Sequence, residues 1–468
     1  MLVIKFGGTS VGTAEAIQRV GTIIAERREA SPVVVVSAIG HTTDLLVEVG
    51  RNAAQQDRKG SFALILTFLS QHRNLVRQLG LADQDDLQAI LTESEGRLKQ
   101  LSEAIQQAGH LSRPLSDELL ALGEFFSANI LSRHLTSIGV PSKMVDSRKV
   151  LLTDAQFGKA QPQIVPSTRL IKKEIEPLLE RRIVPVLQGF VGADELGRTT
   201  TLGRGGSDFS ATLFAAMLEA DAVEIWTDVD GVLTADPSLV ADAKRIQLMT
   251  FQEAAELAYF GAKVLHPASL LPAVDKHIPI TVRNSMRPQE SGTLIVPEST
   301  AVNAGPCIVK SIAYKEEITI ITVISTRMLM AYGFLSSIFE VFSRYQTAVD
   351  LVTTSEVSVS ITIDQTDRLT EIRRDLSRFA QVEVQSDKAI VCLVGERMRQ
   401  TPGMPAEIFS VLHDTPIHLI SQGASEMNIS FVIDANRLPM VIHTLHDRFF
   451  SGPLDPKIFS IHEGRKRL

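Results

Sequence analysis

Three glycines, an arginine, a serine and an aspartate occupy the six consecutive positions from Gly203 to Asp208. Glycine has no Cβ, so the backbone here can approach a ligand closely. Ser207 and Asp208 are predicted to cap a helix that begins at this point. A glycine-rich turn before a helix N-terminus favours anions, and the planar, charged side chain of Arg204 suits a carboxylate or a phosphate. Taken alone, the stretch is equally compatible with a tight loop and an ordinary N-cap.

A second candidate lies near the start of the chain. Lys5 stands at the end of a predicted buried strand, just before Gly7 and Gly8. A lysine there can place its ammonium group against phosphate oxygens that the glycine backbone holds. Asp208 can keep such a lysine, or a metal ion, in place. The alternative is a strand-end lysine whose stem is buried and whose ammonium group reaches water.

Alternating strands and helices are predicted to position these residues. The strand patterns lie at 2–6, 33–36, 183–187, 222–226 and 278–282, the last taken as the final strand, and residues from about 60 to 137 read as wholly helical. This order predicts a mostly parallel sheet with helices on both faces. Ligands bind beyond the carboxyl ends of such strands. Polar or glycine-rich clusters occur at four of these ends, at 5–10, 37–44, 189–208 and 227–236.

The C-terminal part of the chain shows a different pattern. A small, polar stretch is typical of a linker, and beyond it a β-α-β-β order occurs twice, with about 70–80 residues in each copy. We therefore predict a catalytic domain at 1–297, a linker at 298–306 and two repeats at 307–385 and 386–468, whose terminal strands can interleave.

Bulk properties exclude several classes of protein. The net charge of −7 carries no long basic block, which argues against nucleic-acid binding. No apolar run reaches the ~20 residues of a membrane span. Two cysteines and no signal-peptide pattern predict a reducing, cytoplasmic location. The chain has no Walker A, HExxH or paired CxxC pattern, so neither a P-loop enzyme nor a structural zinc site is indicated.

Four motifs, at 5–10, 200–208, 226–231 and 261–267, resemble those of the aspartate kinase family. The resemblance covers essentially the whole chain. It implies an α/β fold: an αβα sandwich with a mostly parallel sheet (the amino acid kinase fold), followed by two ferredoxin-like ACT domains. It also implies transfer of the γ-phosphoryl group of ATP, with Mg²⁺, to the side-chain carboxylate of L-aspartate. The product, 4-phospho-L-aspartate, begins lysine, threonine and methionine biosynthesis.

The resemblance also implies roles for single residues. Lys5, Gly7 and Gly8 would contact the transferred phosphate, and Asp208 would orient Lys5. Glu124 would meet the α-ammonium group of aspartate and Arg204 a carboxylate, in a site that also contains Thr43, Gly206 and Ser207. The nucleotide pocket would contain Thr227, Asp228, Leu233, Asp236, Lys263 and Val264. Leu233 replaces a common aromatic residue of the family, and Ser238 a frequent arginine.

Residues 328–359 look most like the lysine-inhibited, single-function members of the family, so L-lysine is the expected effector. Asp350 and Glu356 would meet its ammonium group, and Ala331 replaces a frequent serine. The expected effector residues are Met328, Gly333, Phe334, Val349, Asp350, Thr354 and Glu356. ACT domains in this family pair across subunits, which implies a homodimer and leaves a tetramer open.

Two other functions remain as alternatives. One is a related kinase that acts on glutamate, acetylglutamate, carbamate or a nucleotide. The helical insert that contains Glu124 and the C-terminal repeat argue against it. The other is an amino-acid sensor without activity, which the intact set of Lys5, Arg204 and Asp208 disfavours.

Overall fold

The computed structural model describes residues 1–260, 266–297, 308–325 and 332–460. The chain forms two compact units, each described below by itself. The first contains Met1–Val232, Gln247–Phe251 and Val264–Ala301. The second contains Leu233–Ile246, Gln252–Lys263 and Val302–Leu468.

The strands and helices are numbered along the chain. The strands are β1 (Leu2–Phe6), β2 (Pro32–Val36), β3 (Ser142–Val145), β4 (Val184–Gln188), β5 (Val191–Ala193), β6 (Thr199–Thr201), β7 (Ala222–Thr227), β8 (Arg245–Ile246), β9 (Leu248–Thr250), β10 (Ile280–Asn284), β11 (Thr293–Val296), β12 (Ser311–Ile324), β13 (Val352–Thr354), β14 (Ser358–Ile363), β15 (Gln381–Val394), β16 (Leu419–Gln422), β17 (Asn428–Asp434) and β18 (Phe459–Ser460). The helices are α1 (Ala14–Glu26), α2 (Thr42–Ala54), α3 (Arg58–Gln78), α4 (Asp85–Ala108), α5 (Arg113–Ser137), α6 (Ile164–Glu180), α7 (Gly206–Leu218), α8 (Phe251–Tyr259), α9 (Pro267–Asp275), α10 (Phe334–Arg344), α11 (Leu369–Leu376), α12 (Met404–Ser410) and α13 (Leu438–Phe450).

An eight-stranded sheet forms the centre of the first unit, in the order β3-β4-β2-β1-β7-β10-β11-β9. Every neighbouring pair is parallel except β10 and β11. All five residues of β2 are buried, as expected for a β-branched strand covered on both faces. The mostly parallel α/β fold is thus confirmed.

Four adjacent parallel strands, β4, β2, β1 and β7, carry the polar clusters that the sequence predicted at their carboxyl ends. Because parallel strands end at the same edge of a sheet, the four loops lie side by side. This edge is where the candidate active site is built.

The long helical region packs as α2 to α5 against the same core. One apolar face of α4 is buried, at Leu87, Leu91, Leu98, Leu101 and Ile105. These residues join one continuous apolar cluster with Ile4, Val34 and Trp226 of the sheet. The insert is therefore part of the first unit's core, and it can hold a side chain at the active-site edge rigidly.

One prediction about this sheet is wrong. The strand predicted at 278–282, which is β10, is not the last one, because β11 follows and pairs with it antiparallel. Gly292, with φ +74°, precedes β11 in a left-handed conformation that favours glycine. Strand β11 then pairs with β9 in parallel. A four-residue strand after a tight turn gives too short an apolar run to recognise.

The second unit contains an antiparallel six-stranded sheet, in the order β13-β14-β12-β15-β17-β16. Strands β12 and β15 have 14 residues each and pair along most of their length. Strand β14 pairs with the second half of β12, and β17 with the second half of β15. The predicted repeat is confirmed, with shared long strands, while its boundaries stay a prediction. Within the described ranges, no helix is both long and apolar enough to cross a membrane.

Candidate active site

An ion pair between β1 and α7 is the centre of the candidate site. Lys5 Nζ lies 2.5 Å from Asp208 Oδ1, and the two side chains are only 9% and 16% exposed. A Cβ added to Gly7 would lie 3.8 Å from the same Nζ. The structure thus brings together the lysine, the aspartate and the glycine turn that the sequence singled out. It places a fixed positive charge beside the glycine turn after β1.

The turn after β1 fits tightly against the loop after β2. A Cβ on Gly8 would lie 2.8 Å from Ala38 O and 2.9 Å from Gly40 O, so only glycine fits there. Gly40 N donates to Gly8 O at 2.9 Å. The N–H group of Gly7 already donates to Trp226 O at 2.9 Å. Gly7 can therefore let a phosphate approach the backbone closely. Its own N–H group, however, already donates to Trp226 O and is not available to the phosphate.

The glycine-rich loop ends differently from the prediction. Helix α7 begins at Gly206 with Gly205 as its N-cap, at φ +71°, and no side chain caps it. The prediction that Ser207 and Asp208 cap the helix is therefore wrong. Both lie in its first turn, since a left-handed glycine makes the entry into the helix. The carboxylate of Asp208 pairs with Lys5 instead.

Close backbone packing fixes the start of α7. A Cβ on Gly189 would lie 2.6 Å from Ser207 Cβ, and one on Gly206 would lie 2.6 Å from the ring of Phe190. In contrast, Arg204 is exposed, and no hydrogen bond or ion pair joins it to the described residues. The loop therefore presents a free guanidinium group from a rigid base.

Glu124 lies on α5 and is almost completely buried, with 3% of its surface exposed. Its Oε1 accepts a hydrogen bond from Ala38 N at 3.2 Å, while Oε2 has no partner within the described ranges. Burial raises the pKa of Glu124 to about 8. At neutral pH this carboxyl group is largely protonated, and it can ionise when a cation arrives.

Thr43 is the least defined of the predicted aspartate-binding residues. It lies in the first turn of α2 and is half-buried. Its neighbour Thr42 is buried and donates from Oγ1 to Ile39 O at 2.7 Å. The role of Thr43 stays a prediction.

Asp117 was missed by the sequence analysis. It lies on α5, is 1% exposed, and accepts hydrogen bonds from Gly158 N at 2.9 Å, Thr201 N at 2.8 Å and Thr201 Oγ1 at 2.9 Å. Burial raises its pKa. The one available signal was its spacing: seven residues before Glu124, it falls on a similar face of the helix.

The end of β7 and the loop after it carry two of the six predicted nucleotide residues, Thr227 and Asp228. Thr227 Oγ1 donates to Asp228 Oδ1 at 3.2 Å, and Asp228 is exposed. The last residue of β10 and the residue after it hold this loop: Asn284 Nδ2 donates to Asp230 Oδ1 at 2.6 Å, and Ser285 N donates to Thr227 O at 2.8 Å. The sequence analysis did not identify either of these supports.

The other predicted nucleotide residues lie elsewhere in the chain. Leu233 and Asp236 belong to the second unit, and Lys263 and Val264 lie outside the described residues. Asp236 Oδ2 accepts a hydrogen bond from the hydroxyl of Tyr314 at 3.0 Å, and burial, with this carboxylate, raises the pKa of Tyr314 to about 12. Ser238, where an arginine is frequent, donates its Oγ to Asp236 Oδ1 at 2.6 Å. The nucleotide roles stay predictions.

Among the predicted effector residues, Asp350 has the most informative environment. Its side chain is 4% exposed, and Oδ1 lies 2.6 Å from Lys315 Nζ. The same ammonium group lies 2.8 Å from Asp364 Oδ2, whereas Oδ2 of Asp350 accepts no hydrogen bond from the described part of the chain. Burial raises the pKa of Asp350. An internal ammonium group thus already contacts the carboxylate that was predicted to meet the effector.

The other described effector residues lie at the start of α10 and in the segment from Val349 to the β13–β14 hairpin. Gly333, at φ +81°, is the N-cap of α10, and the ring of Phe334 packs edge-on against Phe379 with centroids 5.8 Å apart. Val349 packs against the core of this unit. Thr354 and Glu356 are exposed, and Met328 and Ala331 lie outside the described residues.

Comparisons with known proteins agree with this geometry. The model of the amino acid kinase family matches residues 1–284, and an ACT domain model matches residues 391–449. The chain is 37% identical over 460 residues to lysine-sensitive aspartokinase 3 of Escherichia coli (strain K12), which covers 96% of this chain and 99% of that protein. It is 35% identical over 468 residues to the chloroplastic aspartokinase 1 of Arabidopsis thaliana, covering 97% and 81%.

Two solved structures are similar over nearly the whole chain. The crystal structure of E. coli aspartokinase III in complex with aspartate and ADP, in the R-state, has a TM-score of 0.85 and 36% identity, and covers 96% of this chain and all 100% of that one. The T-state structure of the same enzyme, in complex with lysine and aspartate, has a TM-score of 0.79 and 36% identity, covering 96% and 99%.

Proposed function

This chain belongs to the amino acid kinase family and, within it, to the aspartokinases, and from that premise we propose how its residues act. The reaction transfers the γ-phosphoryl group of ATP to the side-chain carboxylate of L-aspartate and yields 4-phospho-L-aspartate. The observation that carries the proposal is the buried pair of Lys5 and Asp208 beside Gly7. This pair provides a fixed cation beside a glycine turn, where a phosphate can approach the backbone closely.

Lys5 stabilises the charge of the transferring phosphoryl group. Its ammonium group is oriented by Asp208 and shielded from water, so it is ready before the substrates arrive. The side-chain carboxylate of aspartate is already ionised at neutral pH and can attack phosphorus itself. The protein then needs no general base, and catalysis consists of positioning and charge stabilisation.

Arg204 and Glu124 select the substrate. The free guanidinium group of Arg204 pairs with a carboxylate of aspartate, while Gly206, Ser207 and Thr43 border the same space. The carboxyl group of Glu124 receives the α-ammonium group. Because the pKa of Glu124 is about 8 without a cation nearby, binding of this ammonium group favours loss of the proton from Glu124. A substrate that lacks an α-ammonium group cannot form this ion pair with Glu124.

ATP is assigned to the loop after β7, with Thr227 and Asp228. The nucleotide roles of Leu233, Asp236, Lys263 and Val264 stay predictions. Gly8 lets the phosphates approach the turn after β1. We assign Mg²⁺ to the phosphates of ATP, where a divalent ion neutralises charge during transfer. Among the residues that the structure describes, no group of three or more His, Cys, Asp or Glu side chains is arranged to hold a metal.

L-Lysine is the proposed effector. The support is the name of the lysine-sensitive relative, the lysine complex of the similar T-state structure and the buried carboxylate of Asp350 in the second unit. The backbone at Gly333 and Phe334, and the side chain of Glu356, complete the proposed contacts. We further propose a cytoplasmic homodimer that pairs through its ACT domains.

The test is ATP-dependent formation of aspartyl hydroxamate, trapped with hydroxylamine, with and without L-lysine. Product that decreases with added lysine supports both the activity and the effector. Product formation that does not change with added lysine supports the kinase activity and contradicts L-lysine as the effector. Parallel reactions with glutamate and acetylglutamate identify a related kinase, and folded protein that gives no product with any acceptor indicates the sensor.

A further inference from the structure

We propose that Asp117 is a positioning residue for the aspartate site, an inference that rests on the proposed function. Asp117 is buried on α5 and accepts three hydrogen bonds from two separate segments, strand β6 and the loop before α6. These segments hold the glycine-rich loop that carries Arg204, whereas α5 itself carries Glu124. Asp117 therefore joins the two halves of the site that recognise opposite charges of the same substrate.

The first connection runs directly along β6. Asp117 Oδ2 accepts a hydrogen bond from Thr201 N and Oδ1 accepts one from Thr201 Oγ1. Thr201 is the last residue of β6 and stands two residues before Gly203, where the glycine-rich loop begins. The backbone and the side chain of one residue are thus held by one carboxylate. This fixes both the position and the direction of the chain as it enters the loop.

The second connection runs through the loop before α6. Asp117 Oδ2 also accepts a hydrogen bond from Gly158 N at 2.9 Å. A Cβ added to Gly203 would lie 3.1 Å from Gly158 O, so this segment packs directly against the glycine-rich loop. Gly203 has φ +82°, a conformation that glycine tolerates best. Asp117 therefore constrains the loop from two sides.

Helix α5 transmits the position of Asp117 to Glu124. The two residues are seven positions apart, about two helical turns, and so point to similar sides of the helix. Both are buried, at 1% and 3% exposure. A continuous buried helix is rigid over this length, so the distance between Glu124 and the Arg204 loop depends on the contacts of Asp117.

An apolar replacement serves none of the three donors. Alanine at this position offers no acceptor to Gly158 N, Thr201 N or Thr201 Oγ1. A buried donor without an acceptor is costly, so the loop would shift to find one. A displacement of about 1 Å in a substrate-positioning element can cost on the order of 100-fold in rate.

The experiment compares Asp117→Ala with a matched control, Asp154→Ala. Asp154 also accepts hydrogen bonds from two backbone N–H groups of the same loop, from Gln156 at 3.1 Å and Gln161 at 2.9 Å, but its carboxylate forms no hydrogen bond with the described residues of β6. For each variant we would measure KM for aspartate, KM for ATP, kcat, equilibrium binding of aspartate by calorimetry, and Tm.

For Asp117→Ala we expect KM for aspartate to rise by roughly ten- to a hundred-fold, with weaker aspartate binding and KM for ATP within about two-fold of the parent. Asp154→Ala should leave all the kinetic constants near those of the parent. A lower Tm with unchanged KM for aspartate would overturn the proposal, because Asp117 would then only stabilise the fold. Equal increases of both KM values would overturn it as well.

Thr201→Val tests the proposal if Asp117→Ala does not fold. It removes only the hydrogen bond from Thr201 Oγ1 and should raise KM for aspartate several-fold, in the same direction. An unchanged KM would count against the positioning role. If the parent protein binds aspartate but forms no hydroxamate, the proposed function fails, while calorimetry on the same variants still decides the role of Asp117.

Discussion

Two buried carboxyl groups, one in each unit, are proposed to receive an ammonium group of a ligand, and their surroundings differ. Glu124 in the first unit is 3% exposed, has no cationic partner among the described residues, and has a pKa of about 8. The side chain of Asp350 in the second unit is 4% exposed, and Lys315 already contacts it at 2.6 Å. The carboxyl group of Glu124 therefore has no described cationic partner and is largely uncharged, whereas the carboxylate of Asp350 is paired with Lys315.

The difference separates two ways of recognising an ammonium group. At Glu124 the ligand supplies the missing cation, so binding and ionisation of the residue occur together. At Asp350 a ligand must displace Lys315 or share the carboxylate with it. Substrate binding should therefore depend on pH, whereas effector binding should depend on an internal competitor.

Lys5→Ala is expected to have the largest effect on the first unit. The change removes the ammonium group that the site holds beside the glycine turn, so kcat should fall by about 100- to 1,000-fold. Asp208→Asn, which keeps Lys5 but removes its charged partner, should lower kcat by a smaller factor. Near-normal turnover of Lys5→Ala, measured with the hydroxamate assay, would contradict its assigned role.

Glu124→Gln tests directly whether the carboxyl group of Glu124 binds the α-ammonium group of aspartate. The amide has nearly the same shape but cannot ionise, so the α-ammonium group loses a charged partner worth about 2–3 kcal/mol, or roughly 30- to 150-fold in KM for aspartate. Glu118→Gln, on the same helix, is the matched control, because Glu118 is partly exposed and pairs with Arg97. If both variants retain the KM of the parent, Glu124 is not the ammonium partner.

The pH dependence of KM for aspartate sharpens the comparison further. Below about pH 8, Glu124 is protonated in the free enzyme, and aspartate binding must release that proton. KM should therefore fall as pH rises, by up to about ten-fold per pH unit, and level off above pH 8. Glu124→Gln should lack this dependence. A flat profile for the parent between pH 6 and 8 would show that Glu124 is already ionised.

Lys315→Met is expected to have the smallest effect, and it acts in the second unit. Without the internal ammonium group, Asp350 and Asp364 both become available to the effector, so half-inhibition should need about three- to ten-fold less lysine. Asp350→Ala is the matched contrast and should abolish inhibition while keeping catalysis. Weaker inhibition in Lys315→Met would mean that Lys315 positions Asp350 for the effector instead of competing with it.

Much of the active site was predictable because its signals are local. The apolar run 2–6, the glycines at 7 and 8 and the glycine-rich loop at 203–206 are each continuous in the sequence, and each precedes or follows a regular element. The pairing of Lys5 with Asp208 followed once both ends were placed at the same edge of the sheet. The order of parallel strands made that edge the expected place for ligands.

The features that the sequence did not reveal depend on distant contacts or on backbone angles. Asp117 meets Thr201 across 84 positions, and Lys315 meets Asp350 across 35, with no local pattern to mark either pair. The cap of α7 was mispredicted because the left-handed conformation of Gly205 replaces a side-chain cap. Tertiary packing determines these contacts and backbone angles, and the conformational preferences of single residues do not predict them.

The most direct test of the account is to observe the product bond itself. Mg-ATP and L-aspartate are incubated with the protein and followed by ³¹P NMR, with parallel samples of Lys5→Ala and Glu124→Gln. We predict an acyl phosphate signal that appears in step with ADP, depends on aspartate, and is nearly absent from the Lys5→Ala sample. ATP consumed only to inorganic phosphate, or an acyl phosphate formed equally well by Lys5→Ala, would contradict the proposed site.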